Sequence, residues 1–231
     1  MEKVGLAVNM QLALASVSYF AGLDERILAS IAAATVLRHY KQGEIVFLKG
    51  EPCQGLYVVQ EGWLKGMIIS SAGREQIVRL VGPGEAFNEI GVLLQDNLNL
   101  VTVQAIEPSM VWVIDRKALI GLMDEHPALS RTVTQNLANR VVHLMNLVED
   151  LSLRTVEGRL ARLLLEQSMD DKKTRRRWAT QAEMAAQLGT VIDVVNRSLH
   201  KLEEEGTIRI VRHQIEIVDH ERLEQKAATR D

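Results

Sequence analysis

Cysteine is almost absent from this sequence, and its absence limits the chemistry of the protein. The 231 residues include one cysteine, Cys53, which excludes a disulfide framework and a zinc or iron–sulfur site held by several cysteines of one chain. Long apolar runs are lacking as well: no segment approaches the ~20 apolar residues of a membrane-spanning helix. Polar residues interrupt the apolar run that follows Lys3, so we expect no signal peptide and a cytoplasmic protein.

Catalytic motifs are also lacking. We find no Ser/His/Asp arrangement, no metal-ligand cluster and no glycine loop that would cradle a phosphate, so we do not expect an enzyme. The composition, with 47% hydrophobic and 25% charged residues, is that of an ordinary globular protein. The net charge is −3, but basic residues slightly outnumber acidic ones from Arg154 onward, which places positive charge in the C-terminal part.

The pattern of apolar residues changes along the chain. Residues 5–35 have apolar positions at helical spacing, whereas residues 36–115 consist of short β-rich runs punctuated by glycines. The clearest of these runs are 44–47, 56–59, 76–80 and 110–114. Many short strands at nearly regular spacing predict a sandwich or a barrel.

Helical spacing returns after Asp115. A seam with alternating spacings of four and three indicates a coiled-coil contact, and no proline or glycine interrupts the chain from Ala128 to Glu157. The seam residues are Leu137, Val141, Leu144, Val148 and Leu151. The alternative is an amphipathic helix packed on its own domain. We favour a dimer seam, because the apolar stripe is narrower than that of most globular helices.

Residues 178–218 have the pattern of a winged helix-turn-helix. Thr180 and Glu183 form a capping box at the start of a short helix, and Gly189 marks a tight turn. A second helix is predicted from about Val191 to Glu204, and a two-stranded wing follows over 208–218. In this motif the first half of the second helix enters the major groove of DNA.

The outward positions of the second helix carry side chains suited to reading bases. They are Ile192, Asp193, Asn196, Arg197 and His200. Arginine can clamp guanine, asparagine can pair with adenine, aspartate can accept from cytosine, and an apolar side chain can contact a thymine methyl group. The free amides expected at Thr180 and Gln181 suit a backbone phosphate. The alternative is a polar helix face that contacts another protein.

Three segments, in order and spacing, resemble one known family. Residues 87–93 resemble the core motif of a β-roll, 147–165 the end of a dimer helix with the helix after it, and 191–206 a recognition helix. The chain thus resembles the cyclic-AMP receptor protein / fumarate-nitrate reduction regulator (CRP/FNR) family of transcription regulators. The resemblance covers nearly all 231 residues.

The resemblance implies an α+β chain with three parts. These are a cyclic-nucleotide-binding-like β-roll (jelly roll) sensor domain over 1–125, a long dimerisation helix over 126–153 and a winged helix-turn-helix DNA-binding domain over 154–231. It implies a homodimer that binds a palindromic operator in double-stranded DNA, with RNA polymerase as a further partner. Arg197 matches the family arginine that reads guanine, and Asp193 stands where glutamate is common. Ile192 replaces a polar position, which favours a TTGAT-type half-site.

The match fails at the effector pocket that the family implies. Glu89 is retained, but Asn88 replaces the preceding glycine, and Asn99 and Leu100 replace an Arg-Ser pair that holds the phosphate of cyclic AMP. A buried phosphate without a countercharge carries a large desolvation penalty. The positions that hydrogen-bond adenine are also apolar; they are Leu144 and Met145. We therefore expect an effector other than cyclic AMP.

Other effectors and partners stay open at this point. The single cysteine excludes the iron–sulfur branch of the family, whereas an apolar pocket would suit haem, with His39, His126 and His143 as candidate axial ligands. A lone histidine is more often structural. The basic stretch 172–177 lies where some relatives contact RNA polymerase; it would otherwise brace DNA phosphates or be a solvated loop. A sensor module that acts on a protein partner without DNA is the alternative function.

Overall fold

The computed structural model describes residues 10, 13–15, 17–20, 22–169, 180–211 and 214–229. Two compact units divide the chain: residues up to 68 together with 79–142, and residues 69–78 together with 143 onward. None of the helices in these described ranges combines the length and the apolar character that a membrane span requires.

The first unit opens with short helical segments. A single 3-10 turn at Ser18–Phe20 leads to helix α1 (Glu25–Ala33), whose start is capped by the Asp24 carboxylate accepting from the Ile27 amide at 2.8 Å. Ile27, with two other apolar residues of α1, faces the core.

The strand-rich region forms a β-sandwich, as the sequence predicts. Its strands in chain order are β1 (Thr35–Tyr40), β2 (Ile45–Phe47), β3 (Gly55–Glu61), β4 (Leu64–Ile69), β5 (Glu75–Val81), β6 (Ala86–Phe87), β7 (Thr102–Ala105) and β8 (Ser109–Asp115). Among the described residues they make two four-stranded sheets, with orders β1-β8-β3-β6 and β2-β7-β4-β5. The β1–β8, β3–β8 and β4–β7 pairs are antiparallel.

Strand β3 is buried on both faces, which explains its continuous apolar sequence. Tyr57 and Val59 point into the core between the two sheets, whereas Leu56 and Val58 pack against the helices that cover the first sheet. Glycine is required at Gly55, because a Cβ atom there would lie 1.9 Å from the Ile114 carbonyl oxygen of β8.

Three helices complete the path from the sandwich to the second unit. They are α2 (Glu89–Leu93), α3 (Arg116–Glu125) and α4 (Pro127–Leu153). Helix α4 has 27 residues, so it is about 40 Å long. Leu129 and Val133 at its start are buried in the helical layer of the first unit.

The long helix stops earlier than the sequence allows. The Thr155 hydroxyl accepts a hydrogen bond from the Gly158 amide at 3.0 Å and begins a new helix, α5 (Val156–Met169). The Arg159 guanidinium donates to the carbonyls of Asp150, Leu151 and Arg154, which closes the free end of α4.

The second unit contains the winged helix-turn-helix. Its further elements are α6 (Gln181–Leu188), α7 (Ile192–Glu204), β9 (Ile208–Val211), β10 (Gln214–Ile217) and α8 (His220–Ala228). The antiparallel β9–β10 pair confirms the predicted wing. Leu160, Val195 and Leu223 lie in one apolar core that joins α5, α7 and α8. The charged stretch 170–177, which includes the basic residues 172–177, lies outside the described residues.

Candidate nucleic-acid interface and effector site

The helix-turn-helix begins at a capped terminus. The Thr180 hydroxyl accepts a hydrogen bond from the Glu183 amide at 3.2 Å, and the Glu183 carboxylate accepts one from the Thr180 amide at 2.8 Å. This reciprocal pair confirms the predicted capping box. It also occupies the Thr180 amide, so the prediction that this amide is free for a phosphate is wrong. The amides of Gln181 and Ala182 start α6 and have no partner within the helix.

A tight turn separates the two helices. Gly189 ends α6 with φ at 65°, a left-handed conformation that glycine adopts without strain. A Cβ atom there would lie 2.7 Å from Gln76 Oε1 and 2.8 Å from Leu151 Cδ2, so close packing also favours glycine. The Thr190 amide donates to the Ala185 carbonyl at 2.9 Å and fixes where α7 begins.

Helix α7 is anchored on one face and open on the other. Val195, Leu199 and Leu202 are buried in the core of the unit, at spacings of four and three. The predicted reader positions Ile192, Asp193, Arg197 and His200 are exposed. The helix therefore holds these four side chains outward on a rigid support.

Two of the exposed side chains are unengaged. Within the described ranges, the Asp193 carboxylate and the Arg197 guanidinium form no hydrogen bond and no ion pair. His200 Nδ1, by contrast, lies 4.0 Å from the Glu203 carboxylate. An arginine and an aspartate that have no partner on a helix face are able to bind an external donor and acceptor pattern, such as that of a G·C pair.

Asn196 differs from the other reader positions. It is half-buried, and its Oδ1 atom is enclosed without a hydrogen-bond partner in the described part of the chain. The residue directly follows the buried Val195 and precedes the buried Leu199 by one turn. The structure therefore places Asn196 at the edge of the exposed face, not in its middle.

The predicted dimer seam is largely open in the single chain. Val141 is 56% exposed and Val148 62%, while Leu144 and Leu151 are each 36% exposed. Leu137 instead packs against the helical core of the first unit. Exposed apolar side chains at a/d spacing along two turns and more have the pattern of a helix–helix interface.

Asn88 and Asn99, both predicted at the effector pocket, bind each other. Asn88 Nδ2 donates to Asn99 Oδ1 at 2.9 Å, and Asn99 Nδ2 donates to the Leu48 carbonyl at 3.4 Å. Asn88 has φ of 74°, which explains why asparagine can replace glycine here: it tolerates the left-handed region better than most residues. Burial raises the pKa of the neighbouring Cys53 thiol, to which Asn88 also donates.

Glu89 lies in a polar cluster inside the first unit. It is 7% exposed, and burial raises the pKa of its carboxyl, although Arg79 and Arg140 oppose the shift. Arg79 Nη2 pairs with Glu85 at 3.2 Å, and its Nη1 donates to the Ala86 carbonyl at 3.0 Å. Burial, followed by repulsion from Arg79, lowers the pKa of Arg140 to about 10. The site therefore contains two arginines in place of the missing Arg-Ser pair.

The remaining predicted pocket residues and histidines are mostly at the surface. Leu100 is 43% exposed and Met145 66% exposed. His39 and His143 are exposed, and His143 Nε2 is 3.1 Å from the Val78 carbonyl oxygen. Among the described residues, no group of three His, Cys, Asp or Glu side chains is placed to hold a metal ion.

Comparison with protein families decides the assignment. Residues 37–126 match the cyclic nucleotide-binding domain, and residues 158–226 match the Crp-like helix-turn-helix domain. The chain belongs to the CRP/FNR family. The two matches together cover more than half of its length, in the order that the sequence analysis predicts.

Relatives in the CRP/FNR family span nearly the same length. A CRP-like cAMP-activated global transcriptional regulator of Mycobacterium tuberculosis is 27% identical over 226 residues, which cover 93% of this chain and 98% of the relative. The cyclic AMP receptor protein of Thermus thermophilus is 29% identical over 193 residues, covering 82% and 87% of the two chains. These relatives are transcription regulators, not enzymes, and this chain is a CRP/FNR-type transcription regulator with a DNA-binding helix-turn-helix.

Solved structures show the same CRP/FNR fold. FixK2 from Bradyrhizobium japonicum matches with a TM-score of 0.74 at 22% identity, covering 84% of this chain and 98% of FixK2. A CRP/FNR-family transcriptional regulator of Thermus thermophilus matches with a TM-score of 0.69 at 24% identity, covering 85% of this chain and 100% of that one.

The sequence analysis missed Arg79 and Arg140 beside the CRP/FNR effector position. A signal for each was present. Arg79 alternates with the buried Ile77 and Val81 on β5, an inward position where an arginine is unusual. Arg140 continues the helical stripe of Val133 and Leu137 that faces the first unit's core.

Proposed function

We propose that this regulator is a homodimer that binds a near-palindromic operator through α7 and responds to an effector other than cyclic AMP. The observation that carries the DNA-reading role is the pair of unengaged side chains, Asp193 and Arg197, on the exposed face of an anchored helix.

Each exposed side chain of α7 has a role that its chemistry supports. Arg197 clamps O6 and N7 of a guanine, and Asp193 accepts from N4 of a cytosine. Ile192 contacts a thymine methyl group, which favours a half-site of the TTGAT type. The amides of Gln181 and Ala182 bind a backbone phosphate that fixes the register. His200 and Asn196 stand at the margins of this reading face.

Dimerisation follows from the exposed stripe on α4. Packing Val141, Leu144, Val148 and Leu151 against the same residues of a second copy would remove their apolar surface from water. A two-fold dimer then presents two α7 helices to successive major grooves, about 34 Å apart. The operator would mirror this symmetry.

An effector other than cyclic AMP is supported by the paired Asn88 and Asn99. Their amides are already bonded to each other and to protein groups, so they do not replace the arginine that the family uses for phosphate. The exposed histidines give haem no buried axial ligand. RNA polymerase is a proposed partner of residues 172–177.

A sensor module that binds only a protein partner is the rival function. Such a module would show no salt-sensitive binding to DNA, whereas a reader that neutralises phosphates loses affinity steeply as salt rises. A titration of labelled duplex at several salt concentrations separates the two.

The decisive variant is Arg197→Ala. We expect it to lose about 1–3 kcal/mol of discrimination at one guanine position of each half-site and to bind the other substituted duplexes as before. The measurement is a set of binding isotherms on duplexes in which each base pair is changed in turn. Arg38→Ala, which removes an exposed arginine of β1, is the matched control and should change nothing. Equal weakening on all duplexes would refute base reading by Arg197.

A further inference from the structure

Five polar side chains from separate parts of the chain meet inside the first unit. Tyr19 comes from the N-terminal 3-10 turn, Arg79 from β5, Glu85 from the following loop, Glu89 from α2 and Arg140 from α4. Tyr19 is 4% exposed and Glu89 is 7% exposed. Enclosing this much polarity is unfavourable unless each group has a partner.

Three of the five groups lack a full set of partners. The Tyr19 hydroxyl is enclosed and forms no hydrogen bond in the described part of the chain. The Arg140 guanidinium donates no hydrogen bond to any described residue, although burial and Arg79 make its charge less favourable. The Glu89 carboxylate receives a hydrogen bond from its own backbone amide. Only Arg79 and Glu85 form an ion pair, at 3.2 Å.

The unused capacity of the cluster has a definite chemical complement. The Tyr19 hydroxyl and the Arg140 guanidinium are donors, and both suit the oxygens of an anion. The Glu89 carboxylate is an acceptor and suits a hydroxyl group. Arg79 and Arg140 remain partly exposed, so the cluster is open to solvent on that side.

We propose that this cluster is the effector site and that its ligand is a small organic anion with a hydroxyl group next to its carboxylate or phosphate. The anion lies against Arg140, Arg79 and the Tyr19 hydroxyl, and the ligand hydroxyl donates to Glu89. The inference rests on the proposed function, since it names the class of effector that the regulator takes. It assigns ligand contacts to Tyr19 and Arg79, which lie outside the predicted pocket.

The test uses the full chain without DNA, so a failure here is distinct from a failure of DNA binding. Malate and glycerol 3-phosphate are the two probes, one for a carboxylate and one for a phosphate source. Succinate, which lacks the hydroxyl, and glycerol, which lacks the anion, are the controls. We expect one of the probes to raise Tm and to bind at least tenfold more tightly than its control by calorimetry. No binding of either probe would overturn the proposal.

Variants locate the binding. Arg140→Gln should weaken the probe at least tenfold, whereas Arg131→Gln, an exposed arginine of the same helix, should leave it unchanged. Equal affinity in Arg140→Gln and the wild type would overturn the site. Cyclic AMP is a third probe: binding that depends on Arg140 would support the site and contradict the separate proposal that the effector is not cyclic AMP.

Tyr19→Phe provides a measurement that does not depend on the choice of probe. Without ligand, removing an unpartnered hydroxyl should leave Tm unchanged or raise it, because no hydrogen bond is lost. A clear fall in Tm would show that the hydroxyl already has a partner in the protein and would overturn the proposal. With the effective probe, the same variant should bind several-fold more weakly than the wild type.

Discussion

At the residue scale, the two positions of the family motif behave differently from what their sequence indicates. Asn88 reads as a lost ligand contact, but the structure shows a residue in the left-handed region whose amide ties α2 to Asn99 and Cys53. The retained Glu89 is buried beside two arginines that no motif announces. Side-chain partners that come from distant segments are not encoded in local spacing, and therefore they emerge only from the fold.

The buried Glu89 carboxyl predicts a pH dependence of stability. Burial raises its pKa in the folded protein above the unfolded value of about 4.3. The folded state therefore holds the proton more strongly, and the stability that Glu89 contributes is present at low pH and lost as pH rises through the raised pKa. Glu89→Gln does not titrate, so the free energy of unfolding of the variant, relative to the wild type, should increase from pH 4.5 to pH 8.

Urea denaturation at the two pH values measures this difference. Glu61→Gln, which replaces an exposed carboxyl at the end of β3, is the matched control, and its difference from the wild type should be nearly constant. If Glu89→Gln also shows a constant difference, the carboxyl titrates alike in the folded and unfolded chains, and the buried cluster is wrongly described.

At the element scale, strong local signals were enough to predict several elements. The capping box at Thr180, the glycine turn, the wing and the long helix are all confirmed, because caps and turn residues act within a few positions. The end of α4 was not predicted: Thr155 caps α5 although no proline or glycine marks the break. Helix α8 was also missed, although Asp219 caps its start.

The exposed stripe of α4 predicts how the oligomer is broken. Val148→Glu should convert the dimer into a monomer, because it places like charges in an apolar two-fold contact. The change should hardly affect the helical content of the monomer, since Val148 is 62% exposed in the single chain. Sedimentation equilibrium and circular dichroism report the two effects.

Asn146→Glu is the matched control for this variant. It adds the same charge at an exposed position of α4 that lies away from the seam, and it should remain a dimer. A dimeric Val148→Glu protein, or a dissociated Asn146→Glu protein, would place the contact on another face.

At the scale of the whole molecule, the sequence predicts the family and the order of its parts better than it predicts the effector. The family is recognised by many weak similarities along the chain, whereas the effector depends on a few side chains such as Arg79 and Arg140. An effector that favours one DNA-binding arrangement changes operator affinity by the same factor as the operator changes effector affinity.

The most direct test of the account is the set of sequences that the wild-type protein selects from a random library of duplex DNA. We predict a near-palindrome whose two half-sites, each with a G·C pair that Arg197 reads, have centres about 10 base pairs apart. Binding to the selected sequence should weaken steeply as salt rises. A single asymmetric motif, or no enriched motif, would contradict a dimer that reads DNA through two α7 helices.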